Sequence, residues 1–133
     1  MIGAHMSQTT LQEWAAARAD ELPGSAPEQP FGPDSTVYKV RGKMFLLLSD
    51  TTGEPFVTVK ATPADASTLR EAFDDVIPGY HMNKRHWITL RAGGALEEEL
   101  VRDLVTESYL LVVETLPRAQ RPVDPATFGQ QPN

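Results

Sequence analysis

The sequence predicts an α+β domain in which a mainly antiparallel sheet of about five strands carries three helices on one face. Three observations predict this class. Amphipathic helical segments occur near both ends and in the middle of the chain, and short β-rich segments joined by tight turns lie between them. The length of 133 residues suits one domain with one core, and 41% hydrophobic residues with 23% charged residues is ordinary for a globular protein.

The first helix is predicted from apolar residues that recur at helical spacing between Leu11 and Leu22. Thr10 and Glu13 have the spacing of a capping box, so we expect the helix to begin at Thr10. Pro23 and Gly24 then end it. The next segment, PGSAPEQPFGPD, holds four prolines in twelve residues and is predicted to be an extended or turning connector.

Three strands are predicted in the next part of the chain. Residues 37–40 alternate and are β-rich, residues 43–48 are largely apolar, and residues 56–61 form a third β-rich segment. Arg41-Gly42 can make a tight turn between the first two strands, and SDTTGEP is a turn cluster. Short strands joined by short turns indicate an antiparallel meander.

The second helix has a strong start signal. Thr62 is suited to the N-cap, Pro63 to the first helical position, and Asp65 to the positive end of the helix dipole. We expect its apolar stripe to run from Ala66 to Val76 or Ile77, with Pro78-Gly79 ending the helix. The segment GYHMNKRHWITL then returns to one or two strands, and a third helix begins at the glutamates 97–99 and ends before Pro117.

The domain limits follow from the composition of the two ends. MIGAHM, residues 1–6, reads as a cloning remnant, residues 7–121 as a single domain, and residues 122–133 as a flexible tail with little apolar content. No apolar run approaches the ~20 residues of a membrane helix, and no signal-peptide pattern is visible. The lack of cysteine excludes disulfides and thiolate metal sites, and it fits a cytoplasmic location.

The charge of the chain is segregated by segment. The formal net charge is -6, which by itself disfavours a nucleic-acid partner because phosphate contacts dominate that affinity. Residues 31–62 and 81–95 together hold 7 basic and 3 acidic residues, whereas the rest of the chain holds 5 basic and 15 acidic residues. A plain explanation is that helices carry solvated acidic faces and strands carry the cations.

Residues 79–90, GYHMNKRHWITL, are the first candidate for a metal site. His81 and His86 are five residues apart, and an odd spacing places them on opposite faces of a continuous strand. A two-residue loop of Asn83-Lys84 would bring the two histidines opposite each other, whereas a three-residue loop of residues 83–85 would place His81 opposite Trp87. Even two facing histidines supply fewer ligands than a metal usually needs, so we predict no metal site.

Catalytic motifs are equally weak. The sequence contains no GxSxG elbow, glycine-rich phosphate loop or paired-carboxylate motif, and Ser108 reads as a helical serine whose hydroxyl is satisfied. We therefore predict no catalytic residue and no cofactor. In a purely structural interpretation, Trp87 packs into the core while His81, Asn83 and His86 hydrogen-bond to loop backbone.

The same segment also fits a nucleic-acid contact. Lys84 and Arg85 would neutralise phosphate, and His81, Asn83 and His86 would orient the contact or read base edges. Trp87 would anchor the hairpin in the core, or, if exposed, stack on a base. Two basic hairpins can enter a groove; the second predicted hairpin and its neighbour contribute Lys39, Arg41, Lys43 and Lys60.

Several motifs of the chain resemble those of one family, the MmcQ/YjbR-like proteins. The resemblance extends from Leu11 to about Arg121, and the block YHMNKRHW at residues 80–87 is its most specific part. The other markers are LPG at 22–24, PFGP at 30–33, GKMF at 42–45, VK at 59–60 before Pro63, SYLLV at 108–112 and LP at 116–117. The resemblance implies a CyaY-like α+β fold, also described as a double wing, and DNA binding.

We therefore predict a non-enzymatic DNA-binding protein that contacts phosphate through basic hairpins. One alternative is a binding module for a small anionic ligand or a protein partner, in which residues 80–87 line a pocket. A further alternative is an enzyme. Cations on an exposed ridge would favour nucleic acid, whereas their convergence in a concave pocket would favour the small ligand.

Overall fold

The α+β class predicted from the sequence is confirmed by a computed structural model. The structure describes residues 2–30, 32–51, 53–79 and 82–129, with side chains from residue 10 onward. Three α-helices lie in this part of the chain: α1 (Ile2–Glu21), α2 (Pro63–Ala72) and α3 (Glu98–Glu114). The strands are β1 (Ser25–Glu28), β2 (Ser35–Val40), β3 (Lys43–Ser49), β4 (Phe56–Lys60), β5 (Val76–Pro78) and β6 (Trp87–Arg91).

The strands form one antiparallel sheet in the order β1-β2-β3-β4-β6-β5. Six strands are described where the sequence predicts about five. The additional strand is β1, which lies inside the predicted proline-rich connector and pairs Ser25 with Val40 and Glu28 with Val37. Pro27 is compatible with this position because β1 is an edge strand, where a missing backbone donor costs little.

The predicted start of α1 is wrong, because the helix begins at Ile2 and Thr10 lies within it. The capping-box pattern is a local signal, and here the helix continues through it. The predicted start of α2 is confirmed, since the Asp65 amide donates to the Thr62 hydroxyl over 3.2 Å and Pro63 occupies the first helical turn.

The predicted end of α2 is also wrong. The helix ends at Ala72, Phe73 is extended with φ -134° and ψ 123°, and Val76 and Ile77 belong to β5. Both residues are β-branched, which favours a strand. Pairing of Val76 with Leu90 in β6 therefore prevails over continuation of the apolar helical stripe.

The core lies between one face of the sheet and the helices. Val57 and Val59 of β4 and Ile88 and Leu90 of β6 are fully buried in the core cluster. Successive strand residues point to opposite faces, so Thr58 lies on the second face. There its hydroxyl is 2.8 Å from that of Thr89. All three helices of the described chain lie on the first face of the sheet.

A buried serine joins α3 to the central strands. The Ser108 hydroxyl donates to the Phe45 carbonyl over 2.6 Å and accepts from the Lys60 amide over 2.8 Å. The pairing between β3 and β4 begins at Leu46 and Val59, so the hydroxyl satisfies the backbone groups of the next pair. The sequence interpretation of a satisfied helical serine is therefore right in outcome, but its partners are strands.

The chain after α3 packs back on the domain. A short 3-10 turn spans Arg118–Gln120, and Val123 and Phe128 are partly buried against the core cluster. The Phe128 ring centroid lies 6.1 Å from that of Tyr109. Within the described residues, no helix is both long and apolar enough to cross a membrane.

We expect Ser108→Ala to lower the free energy of unfolding by about 1–3 kcal/mol, because it leaves a buried carbonyl and a partly buried amide without their partner. Urea unfolding followed by circular dichroism measures this. Ser67→Ala removes a helical serine hydroxyl from the exposed side of α2 and should change stability by less than about 0.5 kcal/mol. Equal losses of stability in the two variants would contradict a stabilising role for the hydrogen bonds that Ser108 makes to the strands.

Stability should also fall in alkaline solution. Burial raises the pKa of Tyr38 to about 12, and its hydrogen bond with the Asp20 carboxylate adds to the rise. The unfolded chain then loses this proton near pH 10, while the folded chain keeps it, so stability decreases as pH rises from about 10 to 12. Urea unfolding at pH 9, 10 and 11 should show a weaker decrease for Tyr38→Phe than for the parent protein.

Candidate functional site

The hairpin between β2 and β3 ends in the tight turn that the sequence predicts. Arg41 and Gly42 both have positive φ, 51° and 80°, which is the pattern of a two-residue type I′ turn. A non-glycine residue in the left-handed region is strained by about 1 kcal/mol or more. Arg41 keeps this conformation at the exposed tip, where its Nε donates to the Gln120 carbonyl over 2.9 Å.

Two lysines flank this turn and differ in their surroundings. Lys39 is partly exposed and forms an ion pair with Glu28 of β1 over 3.2 Å. Lys43 is exposed, and its Nζ donates to the Thr115 hydroxyl just beyond the end of α3 over 3.3 Å. Among the described residues, Lys43 therefore has no carboxylate partner.

The connection from β5 to β6 is longer than either predicted hairpin loop. Pro78 pairs with Ile88, and the Gly79 amide donates to the Trp87 carbonyl over 2.9 Å. Trp87 is thus opposite Gly79, and residues 80–86 form the connection. The register with Asn83-Lys84 as a two-residue loop is wrong, as is the three-residue alternative. Tyr80 and His81 lie outside the described residues.

Asn83 organises the second half of this connection. Its side-chain Oδ1 accepts from the Arg85 amide over 2.9 Å, which is an Asx turn. Its carbonyl accepts from the amides of His86 and Trp87 over 3.2 and 3.0 Å. The sequence prediction that Asn83 hydrogen-bonds to loop backbone is confirmed. The turn leaves the side chains at positions 83–86 exposed to solvent.

Trp87 does not pack into the core, so its predicted role as a core anchor is wrong. Ile88 enters the core and is fully buried, and the strand alternation places its neighbour on the second face. Trp87 is partly exposed there. Gly79 is required beside it, since a Cβ atom at that position would lie 2.7 Å from the Trp87 Cβ atom.

Lys60 ends β4 directly beside Trp87. The two residues are paired across β4 and β6, and the ladder continues with the Ala61 amide donating to the His86 carbonyl over 2.9 Å. Lys60 is partly exposed. Continuous strand pairing from β2 to β6 therefore connects the cations of the two predicted hairpins.

These cations collect at one end of the sheet, which we call the basic end. It is the end at which β2 and β4 finish and β3 and β6 begin. All four lysines of the chain are here. The basic end is formed by Lys39, Arg41, Lys43, Lys60, Lys84, Arg85, His86, Arg118 and Arg121.

Arg118 and Arg121 are the members that the sequence analysis missed. They follow α3, and the contacts of Gln120 with Arg41 and of Thr115 with Lys43 place this segment beside the β2–β3 hairpin. Arg118 is exposed, whereas Arg121 donates to the carbonyls of Leu116 and Glu114 over 2.9 Å each. The sequence signal was the pair of arginines in PRAQR, in a segment interpreted as the domain boundary.

The opposite end of the sheet is acidic. Among the described strands, Arg91 is the only cation at this end; it lies 4.0 Å from the Asp75 carboxylate and donates to the Asp74 carbonyl over 3.0 Å. The basic end also holds carboxylates: Asp65 and Glu107 lie beside Lys60, Asp124 lies beside Arg118 and Arg121, and Glu28 pairs with Lys39. What distinguishes this end is therefore the presence of all four lysines. The acidic end includes Asp34, Asp50, Glu54, Asp74, Asp75, Glu97, Glu98 and Glu99.

Among the side chains that the structure describes, no three histidine, aspartate or glutamate residues are grouped as a metal ion requires. The candidate site consists of the cations of the basic end, the Asx turn of Asn83 and the partly exposed indole of Trp87.

The family model named YjbR matches residues 20–111 of this chain. The chain belongs to the YjbR family. The matched range covers all six described strands and α2 in full and most of α3, and it includes the Asn83 turn and Trp87. Arg118 and Arg121 lie beyond it.

Two relatives of this chain come from Escherichia coli. The uncharacterized protein YbdF of strain O157:H7 is 40% identical over 121 residues, which cover 90% of this chain and 99% of that protein. The uncharacterized protein YjbR of strain K12 is 34% identical over 87 residues, which cover 65% of this chain and 74% of that one. These similarities establish the family.

Solved structures agree with the fold. The crystal structure of Deinococcus radiodurans protein DR2400 has a TM-score of 0.77 at 31% identity and covers 88% of this chain and 91% of its own. A crystal structure of a Pseudomonas syringae protein has a TM-score of 0.64 at 25% identity, covering 75% and 96%.

We expect Asn83→Ala to release the Arg85 amide from its hydrogen bond, because alanine has no side-chain acceptor. Amide hydrogen exchange at Arg85 should become faster, whereas Asn83→Asp, which keeps the acceptor, should preserve most of the protection. Exchange of the Leu90 amide in the centre of β6 serves as the internal reference. Unchanged exchange at Arg85 in the alanine variant would contradict the Asx turn.

Proposed function

We propose that the protein binds nucleic acid through the basic end of its sheet. The single observation that supports this most is the collection of all four lysines and four arginines at one end of the sheet, in a chain whose net charge is -6. Such an arrangement attracts a polyanion to one end of the molecule, while the acidic end is repelled.

The exposure of the cations favours a large ligand over an enclosed one. Asn83, Lys84, Arg85 and His86 are four consecutive exposed residues, and Arg41, Gly42 and Lys43 are three more. Cations on exposed turns are accessible to an extended surface, even where Arg41 and Lys43 also donate to Gln120 and Thr115. An enclosed small anion would instead need them to converge around a cavity.

The spacing of the two turns sets the length of nucleic acid that the basic end can cover. The β2–β3 turn and the β5–β6 connection are separated by about three strand spacings, or roughly 14 Å. That distance corresponds to about four nucleotides at ~3.4 Å per nucleotide of helix axis. The basic end therefore covers a short footprint with about four phosphate contacts.

Duplex DNA binding should weaken steeply with salt. Four phosphate contacts predict a slope of about -3 to -4 in a plot of log affinity against log salt concentration. Removing one phosphate contact with Lys84→Ala or Arg85→Ala should reduce the steepness by about 1 and weaken binding several-fold for any sequence. Fluorescence anisotropy of a labelled duplex between 25 and 200 mM salt measures both quantities.

Arg91→Ala is the charge-matched control, because it removes one exposed positive charge at the acidic end. It should leave the slope unchanged. Absence of binding at ~10 µM protein and low salt, where nonspecific binders engage, would overturn the proposal. Equal effects of Arg91→Ala and Lys84→Ala would show that net charge, and not the basic end, controls association.

A further inference from the structure

Trp87 is a large aromatic side chain that the fold does not use in its core. It begins β6 on the second face of the sheet, one residue before fully buried Ile88. It is partly exposed and is not among the apolar residues that pack against the core cluster. Its indole nitrogen donates no hydrogen bond to another described residue, although burial of an indole normally supplies such a partner.

Hydrogen bonds fix the backbone on both sides of Trp87. Its amide donates to the Asn83 carbonyl over 3.0 Å, and its carbonyl accepts from the Gly79 amide over 2.9 Å. Gly79 packs so closely that a Cβ atom there would lie 2.9 Å from the Trp87 carbonyl oxygen. With the backbone fixed, contact with a ligand has to order only the two side-chain torsions of the indole.

Cations flank the indole on two sides. Lys60 is its strand partner on the same face, so their Cβ atoms are about 4.5–5.5 Å apart. Lys84 and Arg85 precede it in the turn that Asn83 organises. No carboxylate occurs between residues 76 and 96 of the chain. The segment that carries the ring thus holds cations and no carboxylate, which suits a phosphate backbone, while Lys60 on its other side also lines a groove with Asp65 and Glu107.

We infer that Trp87 stacks on an unpaired base, so that this site takes single-stranded nucleic acid in preference to duplex. The inference rests on the proposed function, because Lys60, Lys84 and Arg85 supply the phosphate contacts. In a duplex the faces of the bases are covered by their neighbours, whereas a single strand offers them to an aromatic ring. Sheet faces that carry aromatic residues beside cations are suited to this mode of binding.

The first test uses fluorescence of the native Trp87 ring. The chain has two tryptophans, and Trp14 lies in a groove with Leu11, Arg91 and Leu96, away from the basic end. In Trp14→Phe, all tryptophan emission comes from Trp87. A 12-nucleotide oligothymidylate should quench this emission saturably, and a 12-base-pair duplex at the same phosphate concentration should quench it little.

The second test compares affinities. Trp87→Leu should weaken oligothymidylate binding about fivefold or more, the loss expected from one stacked base, and change duplex binding by less than twofold. Trp87→Phe keeps an aromatic ring and should restore most of the single-strand affinity. The quenching measurement uses the native residue, so it remains decisive even where Trp87→Leu fails to fold.

The outcomes separate the two proposals. Salt-sensitive binding of both nucleic acids without quenching, or equal weakening of both by Trp87→Leu, would overturn the stacking role and leave the basic end intact. Absence of binding to either nucleic acid would overturn the proposed function and this inference together.

Discussion

The geometry of the basic end depends on one hydroxyl group. Ser108 of α3 bridges the Phe45 carbonyl and the Lys60 amide at the point where the β3–β4 ladder stops. The β3–β4 pairing leaves this carbonyl and this amide without a strand partner, and the serine of α3 bonds to both. The helical layer and the strand ends are therefore fixed relative to each other. The Phe45 ring beside this contact packs edge-on against Tyr109, with centroids 5.4 Å apart. Lys43 and Lys60, on either side of the bridge, thereby occupy defined positions, and the end of α3 places Thr115, Arg118 and Arg121 beside them.

The two ends of the sheet carry opposite charge. Antiparallel strands place alternate turns at opposite ends of the sheet, and here the turns at one end carry lysine and arginine while those at the other carry aspartate and glutamate. The overall negative charge therefore conceals a polarity that would orient the molecule toward a polyanion during approach. The strained conformation of Arg41 at a hairpin tip is consistent with a functional site, since such positions persist where the surrounding structure supports them.

Membership of the YjbR family accounts for the fold. The proposed binding of nucleic acid depends on the side chains at the basic end. Within the matched range, Gly79, Asn83 and Trp87 form one local unit: the glycine permits close packing, the asparagine shapes the turn, and the indole is left on the surface. The core does not use this partly exposed indole, which is paired with Lys60 and follows Lys84 and Arg85 in the chain. Such surroundings suit the proposed ligand, which has both phosphates and planar rings.

Local signals in the sequence determined the fold class, the Arg41-Gly42 turn, the start of α2 and the cation-rich segments, because capping, turn chemistry and periodicity act over a few residues. The tertiary structure decided what depends on contacts distant in the chain. The sequence did not predict β1, because an edge strand with a proline is recognised only by its partner β2. It extended α2 through Val76, because the competing partner Leu90 is 14 residues away in sequence. It placed Trp87 in the core, because strand parity is fixed only once Ile88 is known to be buried. Arg118 and Arg121 join the basic end for the same physical reason, since the contacts that place them there come from Arg41 and Lys43 across the fold.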